Sequence, residues 1–311
     1  MSDKPLVSAI IPTHNRPDLV VRAVKTALNQ SHANMEVIVV VDGPDDSTSK
    51  ALADLSDSRI QVITLPHQQG ACAARNAGVQ AARGEWVAFL DDDDEWLPRK
   101  TELQLAAARS STHRVPVVSC RIVARTPLHD YIWPSRLPAP EEPIDEYLFC
   151  RKSIFHARGL MATPTLFAKR GLLLQVPFRD GLKKHQDWDW LIRAARQDGV
   201  GFEFESSPMA VCYFDQALPG ITNTVQDWRF SLSWIQEMRP YISSRAYASF
   251  VLYTVADQAA RVASAREYWG LLIHSMRNGT PVLADVMVYA SVRLFPRDMR
   301  PRLRFWFGMA Q

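Results

Sequence analysis

Four consecutive aspartates, Asp91, Asp92, Asp93 and Asp94, follow the apolar run Trp86-Val-Ala-Phe-Leu90. A buried strand therefore delivers four carboxylates to one short loop, where they repel one another unless something neutralises them. A hard divalent cation such as Mg²⁺ or Mn²⁺ does so: sites of this kind take one or two carboxylates and complete the shell with water and substrate phosphates. A nucleotide diphosphate supplies such phosphates. The plain alternative is a solvated acidic turn in front of a helix that starts near Pro98. Position at the end of a strand favours the cation.

The elements that bring this loop to a site can be read from period. Leu6–Ile11, ending at Pro12, and Met35–Val41, ending at Asp42 and Gly43, are apolar runs of the length of buried strands. Between them Asn15 can cap a helix whose first turn holds Pro17, and Leu19, Val20, Ala23, Val24, Ala27 and Leu28 recur at helical spacing. The alternation continues with a helix over Ser47–Leu55, a strand over Ile60–Leu65, a helix over Ala71–Arg83 stopped by Gly84, and a strand over Trp86–Leu90. This pattern predicts an α/β fold, a mainly parallel sheet with helices on both faces. Ligands of such sheets bind beyond the carboxyl ends of the strands. Thr13, His14 and Asn15, then Asp42, then Asp91 to Asp94 are thereby expected to line one crevice. Taken singly, Asp42 could simply cap the helix after Gly43, and Arg75 could pair with a carboxylate on a helix face.

Further on, Val115–Ala124, Thr163–Ala168 and Val211–Phe214 read as strands, Thr126–Pro143 as a proline-rich loop holding Tyr131 and Trp133, and Trp188–Gln197 as a helix. After Pro219 four segments have helical period, around Trp228–Met238, Tyr247–Ala263, Glu267–Met276 and Val282–Leu294. The expected organisation is one domain over 1–219, with a nucleotide-binding part at 1–124 and an acceptor part at 125–219, and a helical C-terminal region over 220–311. Trp190 is expected in the core, because large aromatics bury well.

Composition narrows the class. A net charge of +3 is too small to point to nucleic acid, but residues 225–311 hold 11 Lys and Arg against 6 Asp and Glu. The cysteines Cys72, Cys120, Cys150 and Cys212 stand far apart, as ordinary buried thiols do, and His14, His67 and His185 lack metal-ligand spacing. The polar start runs directly into a strand and no apolar run reaches about 20 residues, so a cytoplasmic protein without a spanning helix is expected.

Four segments, in order, resemble the family 2 glycosyltransferases of the GT-A fold, over roughly Pro5 to Phe214. Val7-Ser-Ala-Ile-Ile-Pro-Thr-His-Asn-Arg16 looks like the opening strand and donor loop, and Gly70-Ala-Cys-Ala-Ala-Arg-Asn-Ala-Gly78 like the Gly-to-Arg-Asn-x-Gly helix. Gly84-Glu-Trp-Val-Ala-Phe-Leu-Asp-Asp-Asp-Asp94 is similar to the metal-binding strand, and His185-Gln-Asp-Trp-Asp-Trp-Leu-Ile-Arg193 to the segment that carries the base. The resemblance implies an inverting enzyme that moves a sugar from a nucleotide diphosphate sugar, a UDP-sugar, to an acceptor hydroxyl on a glycan or lipid-linked glycan, in cell-surface or extracellular polysaccharide synthesis. It also implies roles. Thr13 and Asp42 would contact the nucleoside, with Asn15, Arg75, Asp91 and Asp92 around the nucleotide, Asp93 the ligand of Mn²⁺ or Mg²⁺, and Asp187 the base. Asp189 is the alternative base. Two positions depart from the family: Val41-Asp42 and Gln186-Asp187 stand where it has acidic pairs.

A nucleotidyltransferase making nucleotide sugars would use a similar sheet and metal, but it would want a Gly-rich basic loop where Pro-Thr-His-Asn-Arg stands. A non-catalytic sugar-nucleotide binding module is the third reading; loss of the base or metal aspartates would favour it, and neither is lost. In the tail Arg293, Arg297, Arg300, Arg302 and Arg304 surround Phe295, Phe305, Trp306 and Phe307, which suits either a helix packed on the catalytic domain with its arginines in water or peripheral membrane contact through residues 286–307; an acceptor at the membrane favours the second.

Overall fold

Every residue of β1 (Val7–Thr13) is buried; α1 (Pro17–Leu28) leads to β2 (Met35–Val41), also buried throughout, which pairs in parallel with β1 so that Val7 lies opposite Met35 and Thr13 opposite Val41. Strands covered on both faces carry continuous Val and Ile rather than alternation, which these two do. The computed structural model describes residues 4–152, 158–214 and 227–294. Its described residues form two compact units, those of Met1–Leu137 and Met161–Pro219 in one and those of Pro138–Leu160 and Gly220–Gln311 in the other.

In the first unit, α1 buries Val20, Ala23, Val24 and Ala27, the face its period predicts. Next come α2 (Asp46–Ala53), β3 (Ile60–Thr64), α3 (Ala71–Ala81) and β4 (Trp86–Phe89), with spatial order β3-β2-β1-β4, all parallel. The order reverses at β1: α1 and α2 carry the chain one way and α3 carries it back. Right-handed crossovers then put α3 on the face opposite α1 and α2. Gly78 lets α3 lie close on β1, since a Cβ there would sit 2.5 Å from a methyl of Ile10. The gap between the carboxyl ends of β1 and β4 is the switch point where such sheets bind ligands.

The chain continues through β5 (Glu95–Trp96), α4 (Lys100–Ser110), β6 (Val115–Arg125) and β7 (Asp130–Trp133), and contributes α5 (Ile144–Phe149) to the second unit. β8 (Phe167–Lys169), α6 (Arg170–Gln175), α7 (Gln186–Ala194) and β9 (Val200–Tyr213) complete the first. Beyond β4 the sheet is mixed: β8 is antiparallel to β4 and to β6, β9 is parallel to β6, and β5 and β7 are antiparallel edges. The parallel expectation thus holds for β1 to β4. The segment read as a loop at 126–143 contains β7, and β9 spans 14 residues where only its last few read as strand. Its Phe202-Glu-Phe-Glu205 stretch is only part-buried, so no apolar run marks it. Thr163–Thr165 is a 3-10 turn, and the strand there is confined to β8.

The second unit is helical, with α8 (Trp228–Glu237), α9 (Ser244–Phe250), a π turn at Val251–Val255, α10 (Ala256–Ala259), α11 (Ala265–Asn278) and α12 (Leu283–Leu294). α5 belongs here because Phe149 packs edge-on against Trp234 and Phe250, centroids 6.3 and 5.0 Å apart, while the Ser243 amide donates to Asp145 at 2.7 Å. A reciprocal capping box between Ser264 and Glu267 starts α11. Residues 295–311, most of the basic tail, lie outside the described residues. Trp190 is fully buried and all four cysteines are buried and unpaired. Among the described residues no helix is long and apolar enough to cross a membrane.

One buried acid ties β1, β2 and the α3–β4 connection together. Glu36 accepts from the Ser8 hydroxyl at 2.6 Å, the Arg83 amide at 2.7 Å and the Arg83 guanidinium at 2.8 Å. Burial opposes its charge, but these donors outweigh it and hold the carboxyl below its ordinary range. Glu36→Ala should cost about 1–3 kcal/mol by stranding Ser8 and an amide. A carboxyl depressed in the folded state stabilises above its unfolded pKa and loses that contribution as pH falls through the folded value. Thermal unfolding of both proteins across acid pH should therefore show a gap that narrows toward low pH; a constant gap would mean the charge is irrelevant.

Candidate active site

The residues expected in one crevice meet at the β1–β4 switch point, with α3 and α7 adding a side each. The acidic loop is a turn at Asp92 and Asp93, closed by the Asp94 amide donating to the Asp91 carbonyl at 3.1 Å, and exposure alternates around it. Asp91 and Asp93 retain 31% and 37% side-chain exposure, whereas Asp92 keeps 9% and Asp94 is buried. The inward pair has structural partners. Asp92 accepts from the Thr13 hydroxyl at 2.8 Å, and Asp94 accepts from the Tyr213 amide at 3.2 Å, linking the loop to the ends of β1 and β9.

Positive charge reaches the loop from two helices. Arg16, immediately before α1, places one guanidinium nitrogen 3.0 Å from Asp92 and 3.2 Å from Asp93. Arg22 donates to the Asp93 carbonyl at 2.6 Å and pairs with Glu95 at 3.2 Å. Arg75, buried on α3, donates to Asp91 at 2.7 Å and to the Gln186 side-chain oxygen at 2.7 Å. That single guanidinium joins the acidic loop to the first residue of α7, next to Asp187.

These cations do not balance the loop. Burial first, against the opposing Arg16, raises the Asp92 carboxyl to about 6. Burial and then the Asp91 charge raise Asp93, and burial with Asp91 and Asp93 pushes Asp94 well above the ordinary range. Excess negative charge on partly exposed carboxylates is what a divalent cation relieves. Among the described residues no three His, Cys, Asp or Glu side chains converge as a ready-made cage. Asp93 and Asp91 nonetheless fit a site that draws its remaining ligands from phosphate and water.

Asp187 is half-buried near the start of α7 and accepts from the Trp188 amide at 2.8 Å. Desolvation, opposed by that hydrogen bond and by Arg75, raises its carboxyl to about 6. Asp189 is fully buried with one oxygen 3.0 Å from Arg179 and the other 2.8 Å from Arg193. Both of its oxygens are held in ion pairs, which tie the loop before α7 to the helix. His185, left-handed at φ 65°, starts the helix and stacks on Trp188 at 5.0 Å.

Two expected residues have their polar atoms engaged locally. Both carboxylate oxygens of Asp42 accept amides, from Gln69 at 2.7 Å and Gly70 at 2.8 Å, so it anchors the entry to α3. Asn15, at φ 53°, donates its amide to Asp45 at 3.1 Å, and its side-chain nitrogen lies 3.1 Å from His14. Asp45, Arg16 and Arg22 join the site without a role assigned from sequence, and Gln186, a departure from the family pattern, serves as the acceptor for Arg75. Asp45 caps α2 by accepting from Thr48 at 3.1 Å, a role its place before Asp-Ser-Thr could have signalled. Arg16 and Arg22 carry no local signal, since their partners lie more than 70 residues away.

The model of the family described as glycosyl transferase family 2 matches residues 8–163. WcaA of Escherichia coli strain K12, named for colanic acid biosynthesis, is 27% identical over 286 residues, covering 90% of this chain and 96% of the relative. Two solved structures share the fold. The mannosyltransferase PcManGT from Pyrobaculum calidifontis, in complex with GDP-Man and Mn²⁺, has a TM-score of 0.58 at 17% identity over 99% of this chain and 84% of its own. S. aureus TarS 1–349 in complex with UDP-GlcNAc has a TM-score of 0.51 at 18% identity over 88% and 72%. With the matched segment holding β1, α3 and the acidic loop of the crevice, the chain belongs to glycosyl transferase family 2 and is a glycosyltransferase.

Proposed function

We propose that this glycosyltransferase moves a sugar from a UDP-sugar to a hydroxyl of a cell-surface or extracellular polysaccharide precursor, in one inverting displacement, on the cytoplasmic side of the membrane. The observation that carries the reading is the Asp91–Arg75–Gln186 bridge. It holds the loop suited to a diphosphate beside the helix bearing a carboxylate whose pKa is raised to about 6. A nucleotide-sugar donor is supported by the complexes of the two structural neighbours, and a polysaccharide product by the name of the relative WcaA.

In this reading Asp187 accepts the acceptor hydroxyl proton as that oxygen bonds to the anomeric carbon and the bond to the diphosphate breaks. The proton ends on Asp187 and the electron pair on the leaving diphosphate. A carboxylate titrating near 6 is ionised at neutral pH yet basic enough to share a proton in the transition state. Thr13 orients Asp92, and Arg75 keeps Asp91 and α7 in register. Asp93, with Asp91, would hold Mn²⁺ or Mg²⁺, which when bound offsets the charge growing on the diphosphate. Asp42 and Asn15 shape the nucleoside side of the crevice through the α3 entry loop and the loop after β1.

Asp187→Asn should lower turnover by about 10²- to 10⁴-fold and leave donor affinity nearly intact, because the amide keeps the shape but takes no proton. In wild type the kcat/KM profile should fall below about pH 6, where the raised carboxyl of Asp187 protonates, and the variant should lose that limb. Near-normal turnover would move the base elsewhere. Asp93→Ala is expected to abolish metal-dependent donor binding in titration calorimetry. A variant that still binds UDP-sugar with an unchanged Mn²⁺ requirement would remove Asp93 from the metal site.

A further inference from the structure

Within the helical unit, α11 turns two different apolar faces outward and inward. Its inner face is Tyr268, Leu271 and Ser275, all buried. Its outer face carries Trp269, Ile273 and Met276, which are 58%, 51% and 57% exposed at the i, i+4, i+7 spacing of one stripe. α12 repeats the pattern: Tyr289 and Val292 are buried, while Leu283 and Met287, one turn apart, stay 76% and 49% exposed. The two helices are locked together. Tyr268 and Tyr289 stack at 4.6 Å, Tyr268 donates to the Tyr289 carbonyl at 2.8 Å, and exposed Trp269 meets the same Tyr289 ring at 6.1 Å.

Charge says what covers these stripes. Among the described residues from 261 to 294 the exposed charges are Arg261, Arg266, Arg277 and Arg293, the last of which also donates to the Ala260 carbonyl and lies over the Tyr268 ring. The acids there are engaged: Glu267 is bound by Ser264 and Arg229, and Asp285 is buried and caps its own helix. Arg266 lies one turn before Trp269 and Arg277 one turn after Ile273, so both flank the outer stripe. The chain that follows α12 adds Arg297, Arg300, Arg302 and Arg304 against Asp298 alone, with Phe295, Phe305, Trp306 and Phe307. A second copy docked face to face would set arginine against arginine. An acyl interior under an anionic headgroup layer takes both the apolar stripe and its cationic flank.

We infer that the outer faces of α11 and α12, centred on Trp269, Ile273 and Met287 and flanked by Arg266 and Arg277, form a docking surface for an anionic lipid bilayer. It extends the membrane contact expected from the tail to a preformed helical face. The face buries its apolar side chains at the acyl boundary while the arginines meet lipid phosphates. Binding to lipid needs neither donor nor acceptor, so the inference stands or falls independently of the proposed transfer reaction.

The test is co-sedimentation of the full chain with phosphatidylcholine vesicles, with and without phosphatidylglycerol, at low and high salt. Wild type should bind only the anionic vesicles and be released by salt. Arg266→Gln with Arg277→Gln should weaken binding by roughly 25-fold, about fivefold for each arginine. Trp269→Gln, Ile273→Gln and Met287→Gln together should weaken it by roughly tenfold or more, with the thermal unfolding transition retained because all three are exposed. Four results would overturn the inference: no binding by wild type, equal binding by all variants, loss only when Phe305, Trp306 and Phe307 are changed to Ser, or a dimer in lipid-free gel filtration that the apolar variant dissociates.

Discussion

Placing four carboxylates on consecutive residues at the mouth of a buried strand is the constraint around which the first unit is organised. Like charges this close repel unless they acquire partners, and here burial and mutual repulsion raise the carboxyls of Asp92, Asp93 and Asp94 while neighbouring groups supply partners. The turn at Asp92 and Asp93 sets Asp92 and Asp94 inward, where Thr13 and the Tyr213 amide hold them, and leaves Asp91 and Asp93 part-exposed beside Arg75 and Arg16. The surrounding helices then supply charge. Pro17 starts α1 so that Arg16 stands at its head beside the loop, and α3, pressed on β1 through Gly78, brings Arg75 from the opposite face.

The same accounting separates structural carboxylates from those available for chemistry. Asp42, Asp45 and Asp189 each have both oxygens satisfied by amides, hydroxyls or guanidinium groups within the protein. Hydrogen bonds to the charged form keep Asp45 down at about 2 despite the opposing effect of burial. A carboxylate stabilised in that way is a poor proton acceptor. Asp187 accepts from the Trp188 amide but lies where desolvation raises it to about 6, an environment that suits the proposed role of general base.

How much of this could be read from sequence follows from where each signal resides. Period and terminal residues mark β1, α1, β2, α3 and β4 clearly, because each is buried on a face that its own spacing reveals, and the acidic loop is placed by the strand in front of it. The mixed half of the sheet is less legible. β8 has three residues, β7 sits in a proline-rich stretch, and β9 alternates apolar with charged residues that are only part-buried. The grouping of α5 with the C-terminal helices rests on Phe149 meeting Trp234 and Phe250 across 85 or more positions, which no local window contains. Arg16 carries no sequence signal for a similar reason: its partners are Asp92 and Asp93, and those contacts are properties of the folded sheet.

The departure at Gln186 has a physical reading in this setting. Arg75 spends one nitrogen on Asp91 and the other on the Gln186 amide oxygen, a neutral acceptor. An acid at that position would satisfy the same geometry while adding a negative charge beside Asp187, whose carboxyl Asp91 and desolvation already push upward. It would also draw on the positive charge of Arg75, which at present opposes that rise. The glutamine therefore keeps the strut between loop and helix while sparing Asp187 a second carboxylate neighbour, and a value of about 6 rather than higher suits the proposed proton acceptor at neutral pH.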